Sequence, residues 1–473
     1  MVTFPSEREA KRELFNALAP ERERWLGRSR YYHRELTRYL RFLIPEGSRV
    51  LEVGCGLGDL LADLKPSRGV GVDISDKMAE LARTRHPELE FFNRDAEDLG
   101  LDEVFDYVVI SDTIGHCYDF QAAFDQLRMV THRRSRVIIT FYNYLWEPAI
   151  RLGEAVGLKM PERQQNWLSA EDVINLLNLA DFETIKCQRR ILMPVYAPLL
   201  SAFANRFLAK MPLVRSACIS WVLVARPRGT PRENCTTTVL VPCRNERGNI
   251  QGAVERTPQM GPHTEIIFVD GNSTDGTVEE VERQIALHSE KDIRLIHQGE
   301  GVGKGDAVRK GFAAAKGDVL MILDADLTVP PEDLPKFYRA LIEGKGDFVN
   351  GTRLVYPMED QAMRTLNLLG NKYFSVMFTW LLEQRFRDTL CGTKVLFKED
   401  YERIAAGRAY FGKEDPFGDF DLLFGAAKQL LKIVEIPVHY RERKYGSTNI
   451  RRFKHGWLLI KMCWKAFWKL KLI

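Results

Sequence analysis

Short apolar runs recur along both halves of the chain, each ending in glycine or in an acid. In the first half they are Val50-Leu51-Glu52-Val53, Val70-Gly71-Val72, Phe91-Phe92 and Tyr107-Val108-Val109-Ile110. In the second half they are Val239-Leu240-Val241, Ile266-Ile267-Phe268-Val269 and Val319-Leu320-Met321-Ile322-Leu323. Runs this short with little polar alternation fit strands inside a parallel sheet. Stretches with helical spacing lie between them, and strict alternation of strand and helix predicts α/β architecture. Residues 6–43 are charged, with Leu36, Tyr39, Leu40 and Leu43 at helical spacing, and Pro45 should stop that helix. A second-half helix should start near Val278 with Thr277 as its cap.

The pattern breaks once. Residues 226–234 carry charge, two prolines and a glycine, with almost no apolar content, as a linker does. The expected organisation is a domain at 1–226 that includes the N-terminal helical segment, a linker at 227–235, a domain at 236–450 and a tail at 451–473. Composition adds little: 473 residues, 45% hydrophobic, 28% charged, net charge +4. That balance suits ordinary globular domains and implies no nucleic-acid partner. The eight cysteines form no C-x-x-C pair, which argues against a zinc or redox motif and fits a reducing compartment. Residues 1–12 lack an apolar core, so no signal peptide is expected, and no run reaches 18 apolar residues.

Candidate chemistry sits at the strand ends. The first strand runs into Glu52-Val53-Gly54-Cys55-Gly56-Leu57-Gly58, where glycines let the backbone approach a ligand closely. The second ends at Asp73, whose carboxylate can accept both hydroxyls of a ribose, and the third leads to Asp95. A dinucleotide fold would want G-x-G-x-x-G, whereas the spacing here is E-x-G-x-G-x-G. With these motifs, residues of about 30–226 resemble the class I S-adenosylmethionine-dependent methyltransferases, with a Rossmann-like fold. The resemblance implies that Glu52, Gly54, Gly56 and Gly58 line the methionine part of the cofactor. It implies Asp73 on the ribose and Asp95 beside the adenine. Asp112, His116 and Tyr118 follow the fourth strand, where such enzymes place the acceptor, and His116 is either a general base or a loop residue by the cofactor. Residues 191–215 mix apolar residues with Pro194, Pro198 and Pro212, as a lid or partner surface would. Their prolines together with Arg206, Lys210 and Arg215 argue against a span.

In the second half, the strand at 319–323 ends in Asp324-Ala325-Asp326. Two carboxylates one residue apart can hold Mg²⁺ or Mn²⁺, which prefer oxygen ligands. The neighbouring strand ends are Pro242-Cys243-Arg244-Asn245-Glu246 and Asp270-Gly271-Asn272-Ser273, and Lys304 lies in a glycine loop. In this order the motifs resemble glycosyltransferase family 2, with a GT-A fold, closest to the dolichol-phosphate-mannose-synthase-like branch of polyprenyl-phosphate sugar synthases. The resemblance implies Pro242, Asn245, Glu246 and Asp270 on the nucleoside of a nucleotide-sugar and Lys304 toward its phosphates. It implies Asp324 and Asp326 on donor and metal. Thr328 stands where the branch often has glutamine, which leaves the third metal ligand open. Arg353 and Arg364 are expected to face an acceptor phosphate, Asp421 to lie near the reaction centre, and Arg443 to belong to a basic loop closing over phosphates. Asp388 to Lys394 match another family signature.

A phosphate acceptor is already anionic and needs cations, whereas a hydroxyl acceptor wants a carboxylate base. The arginines favour a membrane polyprenyl phosphate. The rival is a sugar or protein hydroxyl with Asp421 as base, and a first domain that only binds S-adenosylmethionine. Lys461, Lys465 and Lys469 form one stripe of the tail, among Trp457, Trp464 and Trp468. At ~1.5 Å per residue it would put its lysines mid-bilayer, so it is expected to lie in the interface plane, with a helix docked on its own domain as the alternative. The expected location is cytoplasmic, peripheral at the membrane's cytoplasmic face.

Overall fold

A computed structural model describes residues 5–161, 165–301, 303–356, 365–411, 415, 418–446 and 452–473. The chain divides into two compact units, Met1–Arg228 with Lys471–Ile473, and Gly229–Leu470.

The first unit holds a sheet of seven strands: β1 (Arg49–Val53), β2 (Arg68–Asp73), β3 (Glu90–Asn93), β4 (Phe105–Ser111), β5 (Thr131–Tyr142), β6 (Phe182–Arg190) and β7 (Ser220–Pro227). Their order is β3-β2-β1-β4-β5-β7-β6, all parallel except β7, which runs antiparallel to both neighbours. Order reverses between β1 and β4, the crevice where α/β sheets collect ligands. Leu51, Val70, Val108, Val137 and Leu223 fill the core, so the apolar runs are the buried strands the pattern predicts. The helix Arg30–Leu43 buries Leu36, Tyr39, Leu40 and Leu43 at the predicted spacing.

The second unit holds β8 (Thr237–Cys243), β9 (Thr264–Asp270), β10 (Asp292–His297), β11 (Val319–Ile322), β12 (Phe348–Thr352), β13 (Lys394–Phe397) and β14 (Ile433–Pro437). The order is β10-β9-β8-β11-β13-β12-β14, with only β13 reversed. Leu240, Ile267 and Leu320 face one buried cluster, while Val239, Ile266 and Val319 face the other. Apolar cover on both faces explains why these strands read as uninterrupted runs. The switch point lies between β8 and β11.

Two expectations need adjusting. The helix Thr277–Leu287 has Gly276 as its N-cap, at φ 88°, and just before it Asp275 Oδ1 accepts from the Thr277 backbone N–H at 3.1 Å and from its hydroxyl at 2.5 Å. Thr277 instead uses its hydroxyl oxygen to accept from the Glu246 amide at 3.0 Å. The C-terminal helix Arg452–Ala466 is docked on its own domain: Leu459, Cys463 and Ala466 join the core, leaving Trp457, Ile460 and Trp464 outside, with Trp468 exposed in the turn Phe467–Lys471 that follows. Among the described residues, no helix is long and apolar enough to cross a membrane.

Candidate functional site

In the first unit the turn after β1 holds Gly54, Gly56 and Gly58 at φ of 76°, 52° and 78°. A Cβ on Gly54 would meet Thr113 at 2.3 Å and one on Gly58 would meet Phe91 at 2.5 Å, so these two seat the loop. Gly56 differs, because the nearest atom to its Cβ would be the Arg22 Nε at 3.9 Å. Its amide donates to Asp73 Oδ2 at 2.8 Å, and the Ser75 amide donates to Asp73 Oδ1 at 2.9 Å. Burial raises the Asp73 carboxyl above the usual range, against the pull of those two amides. Glu52 is buried, its Oε2 has no hydrogen-bond partner among the described residues, and burial lifts its carboxyl well above the ordinary value. The turn opens on a cavity of about 1360 Å³ that also reaches Asp95, Asp112 and His116.

Glu97 and Tyr32 were not singled out by the sequence. Glu97 Oε1 accepts the amides of Tyr118 at 2.6 Å and Asp119 at 2.8 Å, tying the Asp95 loop to the loop after β4. Tyr32 donates to Asp112 Oδ2 at 2.7 Å, and Thr140 donates to Asp112 Oδ1 at 2.8 Å. Asp112 sits at φ 52°, a conformation few non-glycine residues adopt. The His116 ring packs edge-on against Phe15 at 5.3 Å. Tyr32 and Phe15 come from the N-terminal helices, far away in sequence.

In the second unit, Asp324 and Asp326 follow β11 at the switch point. Lys304 Nζ lies 2.5 Å from Asp324 Oδ1. Burial raises the Asp324 carboxyl, but the Lys304 ammonium outweighs it and holds the group below the usual range. Arg443 bridges two acids, Asp326 Oδ2 at 2.6 Å and Glu246 Oε1 at 2.9 Å. Thr328 donates to Asp326 Oδ1 at 2.9 Å, so it supports this acid. A Cβ on Gly392 would meet Asp324 Oδ2 at 1.9 Å, so that glycine is what gives the carboxylate its room. Asn245, at φ 57°, accepts from the Thr274 amide at 2.8 Å and donates its own amide to Ser273 Oγ at 2.9 Å. Asp270 is buried with Oδ1 unpartnered among the described residues, and Pro242 lies half-buried in β8 beside it.

Two expected site residues already hold an ion-pair partner, although Arg353 also adds to the field that lowers the Asp324 carboxyl. Arg353 forms a forked pair with Asp388, at 2.7 and 2.9 Å. Asp421 pairs with Arg408 at 2.7 Å. Arg364 lies outside the described residues. Lys394 and Asp419, which the sequence did not flag as a pair, lie 3.0 Å apart, and Asp419 adds to the field that raises the Lys304 ammonium. Among the described residues no group of three or more His, Cys, Asp or Glu could hold a metal ion.

Residues 25–186 match the Methyltransferase domain family, and residues 238–403 match Glycosyl transferase family 2. The chain joins a methyltransferase domain to a family 2 glycosyltransferase domain. It is 41% identical over 121 residues to a dolichol-phosphate mannosyltransferase of Saccharomyces cerevisiae, covering 24% of this chain and 44% of that one. It is 29% identical over 224 residues to a polyprenol monophosphomannose synthase of Mycolicibacterium smegmatis, covering 47% of this chain and 83% of that one. The match thus spans less than half the length of the yeast relative. Among solved structures, a magnesium protoporphyrin IX methyltransferase from Synechocystis is 19% identical with a TM-score of 0.34, covering 46% of this chain and 97% of that one.

The methyltransferase domain fits its implied cofactor on its own chemistry. The open space over Gly56, the orphaned Glu52 oxygen and the remaining lone pairs of Asp73 together make a cradle for hydroxyls and an amino group. In the glycosyltransferase domain Asp324 and Asp326 are the oxygen donors a divalent ion would use, and each is now paired with a side-chain cation.

Proposed function

We propose that the glycosyltransferase domain moves a sugar from a nucleotide diphosphate to a lipid-linked phosphate, and that the methyltransferase domain methylates a small molecule or glycan. The observation that carries the first part is the ring of paired charges at the β8 and β11 ends, Lys304 on Asp324 and Arg443 on Asp326 and Glu246. A diphosphate entering there meets Lys304 and Arg443, which can exchange carboxylate partners for phosphate oxygens. The acceptor phosphate oxygen bonds to the anomeric carbon as the bond to the diphosphate breaks, and the nucleoside diphosphate leaves. Asp324 and Asp326 would hold a divalent ion, which would neutralise charge on the leaving group. No base is needed for an anionic acceptor, and Asp421, the base of the hydroxyl reading, is already in an ion pair with Arg408. Asn245, Glu246, Pro242 and Asp270 line the β8 and β9 ends where a nucleoside fits the resemblance. The exposed tryptophans of the C-terminal helix support contact with a membrane that carries the acceptor.

In the methyltransferase domain the cavity exceeds the ~300–1000 Å³ of a usual ligand site, which leaves room for cofactor and acceptor together. Glu52, Gly54, Gly56, Gly58 and Asp73 would hold S-adenosylmethionine, with Asp95 toward the adenine. The cofactor supplies an activated methyl group. Asp112, coupled to Tyr32, stands ready to take the proton of a hydroxyl or amine, with His116 the other candidate. The deciding experiment is sugar transfer from a panel of nucleotide sugars to polyprenyl phosphate in vesicles. Lys304→Ala should abolish transfer in a folded protein, and undiminished transfer would refute the assignment.

A further inference from the structure

The connection between β6 and β7, residues 191–219, has two unlike sides. Its inner side is fixed in place. Asn205 is buried, its Oδ1 accepts the amides of Leu192 at 2.8 Å and Met193 at 2.9 Å, and its Nδ2 donates to the Met193 carbonyl at 2.9 Å. Ser201, Ala204 and Ala209 are buried beside it. The outer side carries Tyr196, Leu199, Leu200, Phe203, Met211 and Leu213, each more than half exposed. Leu199 is 88% exposed and Leu213 89%. Leu199 also sits at φ 61°, a strained conformation for a bulky residue that no burial offsets.

A second apolar ridge lies next to this one. Trp146 Nε1 donates to the Ala217 carbonyl at 2.9 Å, and Asn143 Nδ2 to the Cys218 carbonyl at 3.1 Å. The helix that follows Trp146, Glu147–Ala155, and the residues after it expose Leu152, Val156 and Leu158. The cofactor cavity opens between the two ridges, lined by Ile150 and Leu158 from one and by Val195 and Tyr196 from the other. Charge on the β6–β7 connection is also one-sided: residues 191–219 hold Arg206, Lys210 and Arg215 and no Asp or Glu, with Lys210 buried. Arg206 is exposed within the patch. Large exposed apolar side chains with basic residues and no carboxylate, as on the β6–β7 connection, are the combination that inserts into a negatively charged lipid interface, and the two carboxylates of the second ridge, Glu147 and Glu154, are paired with Arg151 and Lys159. A patch of this extent is otherwise rare on a soluble surface.

We propose that this face docks the first unit on an anionic lipid surface, so that the cavity receives a methyl acceptor carried in the lipid layer. The docking stands by itself, and only the lipid-borne acceptor rests on the methyltransferase reading. The test uses the full chain in flotation with phosphatidylcholine vesicles, with and without phosphatidylglycerol, and hydrogen exchange on the same samples. Amides of 199–213 should slow with phosphatidylglycerol vesicles. The triple variant Leu199→Ser, Phe203→Ser, Leu213→Ser, all at exposed positions, should bind them at least ~tenfold more weakly, since losing the burial of even one such side chain is worth about that factor. The exchange readout separates this face from the tryptophans of the C-terminal helix. Parent-like flotation of the variant with unchanged exchange at 199–213 would overturn the proposal. So would a parent that self-associates where the variant does not, which would assign the patch to a second copy. S-adenosylmethionine binding, measured by calorimetry in parallel, tests the methyltransferase reading separately: its absence would sink that reading while the vesicle result still decides docking.

Discussion

Arg353 separates a structural role from a phosphate-binding one. Its side chain is 11% exposed and that of its partner Asp388 is fully buried. Asp388 also accepts the amides of Arg353 at 3.1 Å and Leu390 at 3.0 Å. Burial opposes ionisation of Asp388, but Arg353 wins and holds its carboxyl below the usual range. Removing one member of such a pair strands a buried charge, a loss of about 3–5 kcal/mol. The two amides keep Asp388 partly satisfied, so Arg353→Met should fall near ~3 kcal/mol. For a unit of this size that is roughly 6–12 °C in melting temperature. Asp388→Asn strands the guanidinium and should cost a similar amount, whereas the double variant should cost clearly less than the sum. The assay is thermal and urea unfolding of the full chain, following the second unit's transition by hydrogen exchange, since two units need not melt together. An Arg353→Met protein that melts like the parent yet loses sugar transfer would refute this reasoning and place Arg353 on the acceptor.

Other outcomes follow from the same geometry. Asp326→Asn should retain the fold and lose most transfer, because it weakens both the Arg443 contact and the donor set; full transfer in the variant would contradict its role. Asp73→Ala should weaken S-adenosylmethionine binding by about 1.5–3 kcal/mol, roughly ten- to a hundredfold by calorimetry. Glu52 binds its proton more tightly folded than unfolded, so its contribution to stability is full at acid pH and is lost as pH rises from the ordinary glutamate value through its raised one. Glu52→Gln should flatten that part of the stability–pH curve, which urea titrations at several pH values would show. Trp464→Ser with Trp468→Ser should reduce transfer to vesicle-borne acceptor and spare a soluble analogue; a truncation would confuse this test, since Leu459, Cys463 and Ala466 are core residues.

Much of this was legible in the sequence because it is local. Strand cores, the E-x-G-x-G-x-G turn and the D-x-D end are each written within a dozen residues, and burial on both sheet faces leaves a continuous apolar run. The ion pairs were not legible, because each joins residues far apart: Arg443 with Asp326, Arg353 with Asp388, Tyr32 with Asp112. A lone arginine reads equally well as a phosphate ligand or as half of a buried pair, and only its partner decides. The same holds for Asp421, whose partner Arg408 lies in a stretch with no motif. For residues 195–213 the apolar content was plain, but which side chains turned outward depended on the Asn205 anchor.

The two domains place acids at the same kind of location and equip them differently, and the difference matches the ligand each is proposed to take. At the β1–β4 crevice, Asp73 is hydrogen-bonded by the backbone amides of Gly56 and Ser75, and burial raises it and Glu52. Acids dressed in this way accept hydroxyls or attract a cation such as a sulfonium, and they repel a further anion. At the β8–β11 crevice, Asp324 and Asp326 each carry a side-chain cation, Lys304 or Arg443. Those cations are mobile partners in a way backbone amides are not, because a long side chain can turn from a carboxylate to a phosphate without unfolding the turn that holds the acid. A diphosphate bound there would gain charge-assisted hydrogen bonds, and the two aspartates so released would be the oxygen donors for a divalent ion. The partner chemistry of the acids, more than their position, is therefore what distinguishes a site for a neutral or cationic cofactor from a site for an anionic donor.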